Sequence, residues 1–178
     1  MDHQKHEEHL QGIKHKETTL KDYLPLVYIF VFIVAATWFE ISYFTKDQSP
    51  VSQMRVFMGF FFLVFGFFKV LSWKDFAWTY ASYDIIAKRS MSYSYVYPAI
   101  ELSLGSAFLL DYHPITVNLI TLVMMLVGSI GVAQNLLSKD QIQCACLGTL
   151  IKVPLSKISL MEDLLMAAMA LATLIIIL

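Results

Sequence analysis

The sequence predicts an all-α membrane protein, an antiparallel bundle of about five transmembrane helices with one interfacial amphipathic helix. Three observations carry that expectation. Of the 178 residues, 57% are hydrophobic and 15% charged, with a mean hydropathy of +0.61, whereas soluble domains are about one quarter charged. The apolar residues fall in runs long enough to cross a bilayer, which takes roughly 17–25 residues. The charges collect in the segments between those runs. In lipid the backbone must satisfy its own hydrogen bonds, which favours helices.

Residues 1–22 form a polar, His-rich tail that cannot bury a core. The first apolar run after it is long enough to span, which argues against a cleaved signal peptide. Residues 23–178 form the transmembrane domain. The first span runs from about Tyr23 to Phe44, with Pro25 in its first turn and Glu40 near its end. The second, about Met54 to Leu71, is dense in Phe. The third, about Tyr93 to Leu110, is the shortest and contains Pro98 and Glu101. The fourth, about Ile115 to Leu137, follows Pro114, a favourable helix start. The fifth runs from about Leu160 to Leu178, where Ser159-Leu160-Met161-Glu162 reads as a capping box.

Between the second and third spans, residues 73–90 place Trp73, Phe76, Ala77, Tyr80, Tyr83 and Ala87 on one helical face. Trp and Tyr favour the headgroup level, so this segment is expected to lie along the membrane surface. Asp84 falls on its apolar face and calls for a partner. Gly59, Gly66, Gly105, Gly128 and Gly131 allow close helix approach.

Lys and Arg counts set the orientation. With five spans, one side holds Lys5, Lys14, Lys16, Lys21, Lys74, Lys88, Arg89, Lys139, Lys152 and Lys157, and the other holds Lys46 and Arg55. The tail and the 138–158 loop are therefore expected on the cytoplasmic side of a cell membrane. The net charge of −1 gives no basic patch for nucleic acid.

The 138–158 loop, SKDQIQCACLGTLIKVPLSKI, contains the only two cysteines, Cys144 and Cys146. Two thiols one residue apart can form a tight, easily reduced disulfide or hold a soft metal ion. Nearby Lys139, Lys152 and Lys157 favour the reactive thiolate. The other reading is that both cysteines are small apolar fillers. His3, His6, His9 and His15 in the tail could collect a metal ion, or belong to a solvated tail with no site. His113 sits at the opposite face. Lys69 and Glu101 are intramembrane charges, which usually face a partner or a cavity; a Lys69–Glu101 pair is expected, with Asp84 as a third member. Such a pair can fix helix register or contact a proton or substrate. Gln134, Asn135 and Gln143 read either as hydrogen-bond partners for a thiolate or as helix-end markers. Glu162 and Asp163 read as complements to the fifth helix dipole.

These residues together resemble the MauE/DoxX family of redox-associated membrane proteins. The resemblance is carried by GFFFLVFGFFKVLSWKDFAWTYASYDIIAKRS, by YVYPAIELSLG, and by GSIGVAQNLLSKDQIQCACLGTLIKVPLSKISLMEDLLMAAMAL. The CACLGT…KVPLS run is its most specific part. It covers about residues 54–178, a four-helix core to which the tail and the first span are added. It implies that Cys144 and Cys146 exchange electrons or disulfides with a thioredoxin-fold partner, supported by Lys69, Glu101 and Lys152. A factor serving disulfides outside the cell would be expected to present its thiols outwards or within the membrane, which conflicts with the charge count.

Two alternatives stay open. One is a soft-metal protein using Cys144, Cys146, His3, His6 and His9 for a copper- or mercury-like ion. The other is an assembly subunit without chemistry of its own. No hydrolase or transferase motif is present, so the sequence reads as a redox-associated membrane factor rather than an independent enzyme.

Overall fold

A computed structural model describes residues 24–137 and 157–178. All regular structure among the described residues is helical: α1 (Leu24–Glu40) with a π-helical turn (Ile41–Thr45), α2 (Pro50–Leu71), α3 (Trp73–Tyr83), α4 (Met91–Leu109), α5 (Pro114–Leu137) and α6 (Lys157–Ile177). Among the described residues, four segments are long and apolar enough to cross a membrane: Leu24–Thr45, Pro50–Leu71, Pro114–Leu137 and Leu160–Ile177. Their outward faces are apolar. Val31, Phe32, Trp38 and Phe39 of α1, Leu119 and Val123 of α5, and Leu171 and Ile175 of α6 are all exposed. An aqueous protein does not present apolar surface on this scale; lipid covers it, and the chain is a multi-pass membrane protein.

α2 is the hub. It packs antiparallel against α4, and also against α1 and α6, while α5 and α6 form an antiparallel hairpin. The α2–α4 seam is set by glycines. A Cβ on Gly105 would lie 2.9 Å from the Gly59 carbonyl oxygen and 2.9 Å from the Leu63 amide nitrogen, so only glycine lets the backbones approach this closely. Phe30 of α1 meets Phe57 and Phe61 of α2 ring to ring, at 6.4 and 6.2 Å between centroids. α6 joins α2 where Thr173 donates to Met54 Sδ at 3.8 Å.

The start of α2 is built by its own side chains. Ser49 is the N-cap and accepts from the Ser52 amide, Pro50 opens the first turn, and Asp47 accepts from the Ser49 amide and from the Ser49 and Ser52 hydroxyls. The Ser49 amide, with the two hydroxyls, holds the Asp47 carboxyl below the usual carboxylate range. At the same end, Arg55 donates to the carbonyls of Phe108 (2.7 Å) and Leu109 (3.2 Å). It thereby satisfies acceptors that the end of α4 leaves open.

Sequence and structure part at three places. α4 lacks the hydropathy of a span. Its first turns carry Ser92, Tyr93, Ser94, Tyr95 and Tyr97 and meet α3, where the Trp73 indole donates to the Tyr95 carbonyl at 2.8 Å, while the Tyr97 ring also reaches Lys69 of α2. Its second half, from Glu101 to Leu109, runs along α2. The amphipathic segment buries Phe76, Ala77, Tyr80 and Ala87 as its periodicity predicts, but the helix stops at Tyr83 instead of reaching residue 90. Asp84 ends it, in an extended conformation, because its carboxylate takes the amides of the following turn. Finally, α6 begins at Lys157, so Ser159 lies inside its first turn and the expected capping box is not its start.

Candidate functional site

One end of the bundle gathers the buried charges. There α2 ends, α3 crosses, α4 begins, α5 ends at Leu137 and α6 begins at Lys157. Lys69, in the last turn of α2, is where a cation complements the helix dipole. Its ammonium donates to Glu101 Oε1 of α4, and the two side chains are 10% and 4% exposed. The pair expected from the sequence therefore forms, away from water. Two aromatic faces complete the cradle: Lys69 Nζ lies 5.1 Å from the Tyr97 ring centre and 5.6 Å from that of Phe76. Phe76 and Tyr80 of α3 stack at 5.2 Å, and Tyr80 and Tyr97 approach to 4.5 Å. This aromatic cluster clamps α3 onto α4 beside the ion pair. Tyr97 also reaches the Glu101 carboxylate. Glu101 Oε2 is buried and has no hydrogen-bond partner among the described residues.

Asp84 has a partner of a different kind from the one sought on the helix face. Its Oδ1 accepts from the amides of Ile86 (2.9 Å) and Ala87 (2.8 Å), which makes it the cap of its own turn. It is 1% exposed and lies within electrostatic range of Tyr93 and Asp163. It belongs to the charged end without binding Lys69.

The residues that sequence reasoning placed elsewhere are Glu162 and Asp163. Glu162 lies beyond the first turn of α6 and faces inward, 8% exposed, in line with buried Met166, Ala170 and Thr173. That spacing of four, four and three is the helical stripe that would have revealed it. Its Oε1 has no hydrogen-bond partner among the described residues. Asp163 lies beside α5, where a Cβ on Gly128 would sit 3.4 Å from its Oδ2, an ordinary contact. Both acids lie in the field of Lys69. Asn135, buried at the end of α5, is engaged as well, whereas Gln134 is exposed. His113 sits on the exposed loop at the far end, against the Tyr112 ring at 4.3 Å.

Cys144, Cys146, Gln143 and Lys152, and His3, His6 and His9 of the tail, lie outside the described residues. Among the described residues no three His, Cys, Asp or Glu side chains are grouped so as to hold a metal ion. What is described is the bundle end from which the cysteine-bearing segment departs at Leu137 and to which it returns at Lys157. Among the described residues that end holds one buried ammonium, several carboxyls and a set of tyrosines. Such an arrangement can fix helix register and can hold or move protons.

No curated protein and no solved structure matches the chain. A family model described as methylamine utilisation protein MauE matches residues 23–176, which takes in the first span as well as the part from Met54 onward, and the chain belongs to the MauE family.

Proposed function

We propose that this MauE-family membrane protein exchanges electrons or disulfides through Cys144 and Cys146 with a thioredoxin-fold partner, in a role tied to methylamine utilisation. The observation that carries the reading is the placement of the only Cys-x-Cys in the chain. It lies in the segment bracketed by Leu137 and Lys157, whose two ends stand at the charged end of the bundle. Thiolate is the reactive form, and nearby cations favour it; Lys152, within the segment, and Lys69, at the bundle end, are the supporting charges. A disulfide closed over one intervening residue is strained and readily reduced, which suits exchange better than permanent cross-linking. With five crossings, the Lys and Arg distribution supports a cytoplasmic position for this end.

Trapping tests the reading. In Cys144→Ser or Cys146→Ser, one thiol remains to attack a partner and no second thiol resolves the product. A mixed disulfide with a thioredoxin-fold protein should accumulate in one of the two variants. If neither captures a partner under conditions where the wild-type pair cycles between thiol and disulfide, the exchange reading fails. Stoichiometric uptake of a soft ion, lost in the double Cys→Ser variant, would replace it with metal binding. A membrane-impermeant thiol reagent on intact cells reads the sidedness.

A further inference from the structure

We propose that Glu162 and Asp163 of α6, at the bundle end that holds the Lys69–Glu101 pair, form a proton-holding site that takes up and releases a proton there.

Lys74, Asp75, Lys88 and Arg89 of α3 and the turn after it are exposed, which leaves the following groups, less exposed than these, to set the charge balance at that end. α2 supplies Lys69. The turn after α3 supplies Asp84, and α3 itself Tyr80. α4 supplies Tyr93, Tyr97 and Glu101, α5 supplies Asn135, and α6 supplies Glu162 and Asp163. Lys69 is committed to Glu101, and Asp84 to two backbone amides. Glu162 and Asp163 are then left without a cation of their own among the described residues. They are adjacent in sequence and interact with each other and with Glu101 or Lys69 through space. Two ionised carboxylates in a low-dielectric site without a counterion are strongly disfavoured.

A second observation points the same way. Glu162 Oε1 and Glu101 Oε2 are both buried acceptors with no hydrogen-bond partner among the described residues. An unpartnered buried carboxylate oxygen is costly, and a proton relieves that cost by converting the oxygen into a neutral hydroxyl donor. A metal ion fits less well, because no three of these ligands are grouped as a metal site among the described residues.

The use of such a proton rests on the thiol reading above. When a thiol attacks a disulfide, its S–H proton leaves, a new S–S bond forms, the old S–S bond breaks, and the departing sulfur takes a proton. A carboxylic acid that gives its proton to the departing sulfur and regains one from the attacking thiol completes this exchange with no net change of its own.

The test is infrared spectroscopy of the full chain in lipid or detergent. A protonated-carboxyl C=O band should be present at neutral pH, shift on transfer to D2O, and disappear in Glu162→Gln or Asp163→Asn. Carbon-13 labelling of Glu or of Asp in the wild-type chain shows which of the two residue types carries the band even where a variant does not fold. Absence of the band in the wild type overturns the proposal, as does a band that neither variant nor label moves. A band dependent on Glu162 or Asp163 that persists in the double Cys144→Ser, Cys146→Ser variant supports the site independently of the thiols. If trapping has failed while that band persists, the proton site stands and its assignment to thiol exchange is removed.

Discussion

Replacing Lys69 should destabilise the bundle more than replacing Glu101, and replacing both should cost less than either. Breaking one side of a buried pair leaves an uncompensated charge and costs about 3–5 kcal/mol. In Lys69→Met the orphan is Glu101, with Glu162 and Asp163 close by and no ammonium to face them. Glu101 can escape by taking up a proton. Neutralising a carboxyl of ordinary acidity costs roughly 3.7 kcal/mol at pH 7, which sets the scale of the loss at that site. In Glu101→Gln the orphan is Lys69, but it retains the rings of Tyr97 and Phe76, worth about 0.5–2 kcal/mol, and the field of the two α6 acids. Its loss should be about 1–3 kcal/mol. The double variant removes both charges and should fall within about 1 kcal/mol of wild type.

The sign with pH separates the two single variants. Folded Lys69→Met binds more protons than its unfolded state, so its stability rises as pH falls. At pH 5 the neutralisation cost drops to roughly 1 kcal/mol, and most of the penalty should vanish. Reversible unfolding in mixed micelles, read as a double-mutant cycle at both pH values, measures all of this. Additive single losses, or a Lys69→Met penalty no larger than that of Glu101→Gln, would refute the argument that this pair is the charge balance of the site.

Two further substitutions probe the fold around the site. Gly105→Ala forces a methyl against backbone atoms of α2 at 2.9 Å and should cost about 1–3 kcal/mol. Gly128→Ala meets only the Asp163 carboxylate at 3.4 Å and should change stability little, as parallel unfolding curves will show. Asp84→Ala loses the acceptor for two amides and should cost about 0.5–2 kcal/mol, while Asp84→Asn keeps an acceptor and should recover most of it; amide exchange at Ile86 and Ala87 reports the turn directly.

Much of this was legible in the sequence because it depends on period and length. The spans follow from apolar runs, the buried face of α3 follows from the spacing of Phe76, Ala77 and Tyr80, and the Lys69–Glu101 pair follows from two costly charges on consecutive antiparallel helices. What was not legible depends on context. Asp84 looked like a cluster member because a helical wheel cannot show that the helix ends there and that the carboxylate turns back to its own amides. Glu162 and Asp163 read as dipole partners when the apolar run sets the helix start at Leu160. Starting it at Lys157 carries both acids past the first turn, and the stripe through Met166, Ala170 and Thr173 then points Glu162 inward.

The helix that reads least well as a span is also the one that builds the charged end. α4 loses hydropathy to Tyr93, Ser94, Tyr97 and Glu101, and each of these acts at that end or is buried beside it. Tyr93 and Tyr97 pack with Tyr80 of α3, Tyr97 covers Lys69, Glu101 pairs with Lys69, and Ser94 is fully buried. Pro98 removes one backbone donor in the same stretch. A helix of this composition would be a poor partner for lipid by itself. It is tolerable because α3 covers its first turns and α2 its last, so its polar face meets protein. The amphipathic helix is therefore part of the site and more than an anchor. By covering the polar half of α4, it keeps Lys69 and Glu101 out of water, and that exclusion gives their charge, and the proton balance of the acids opposite them, its energetic weight.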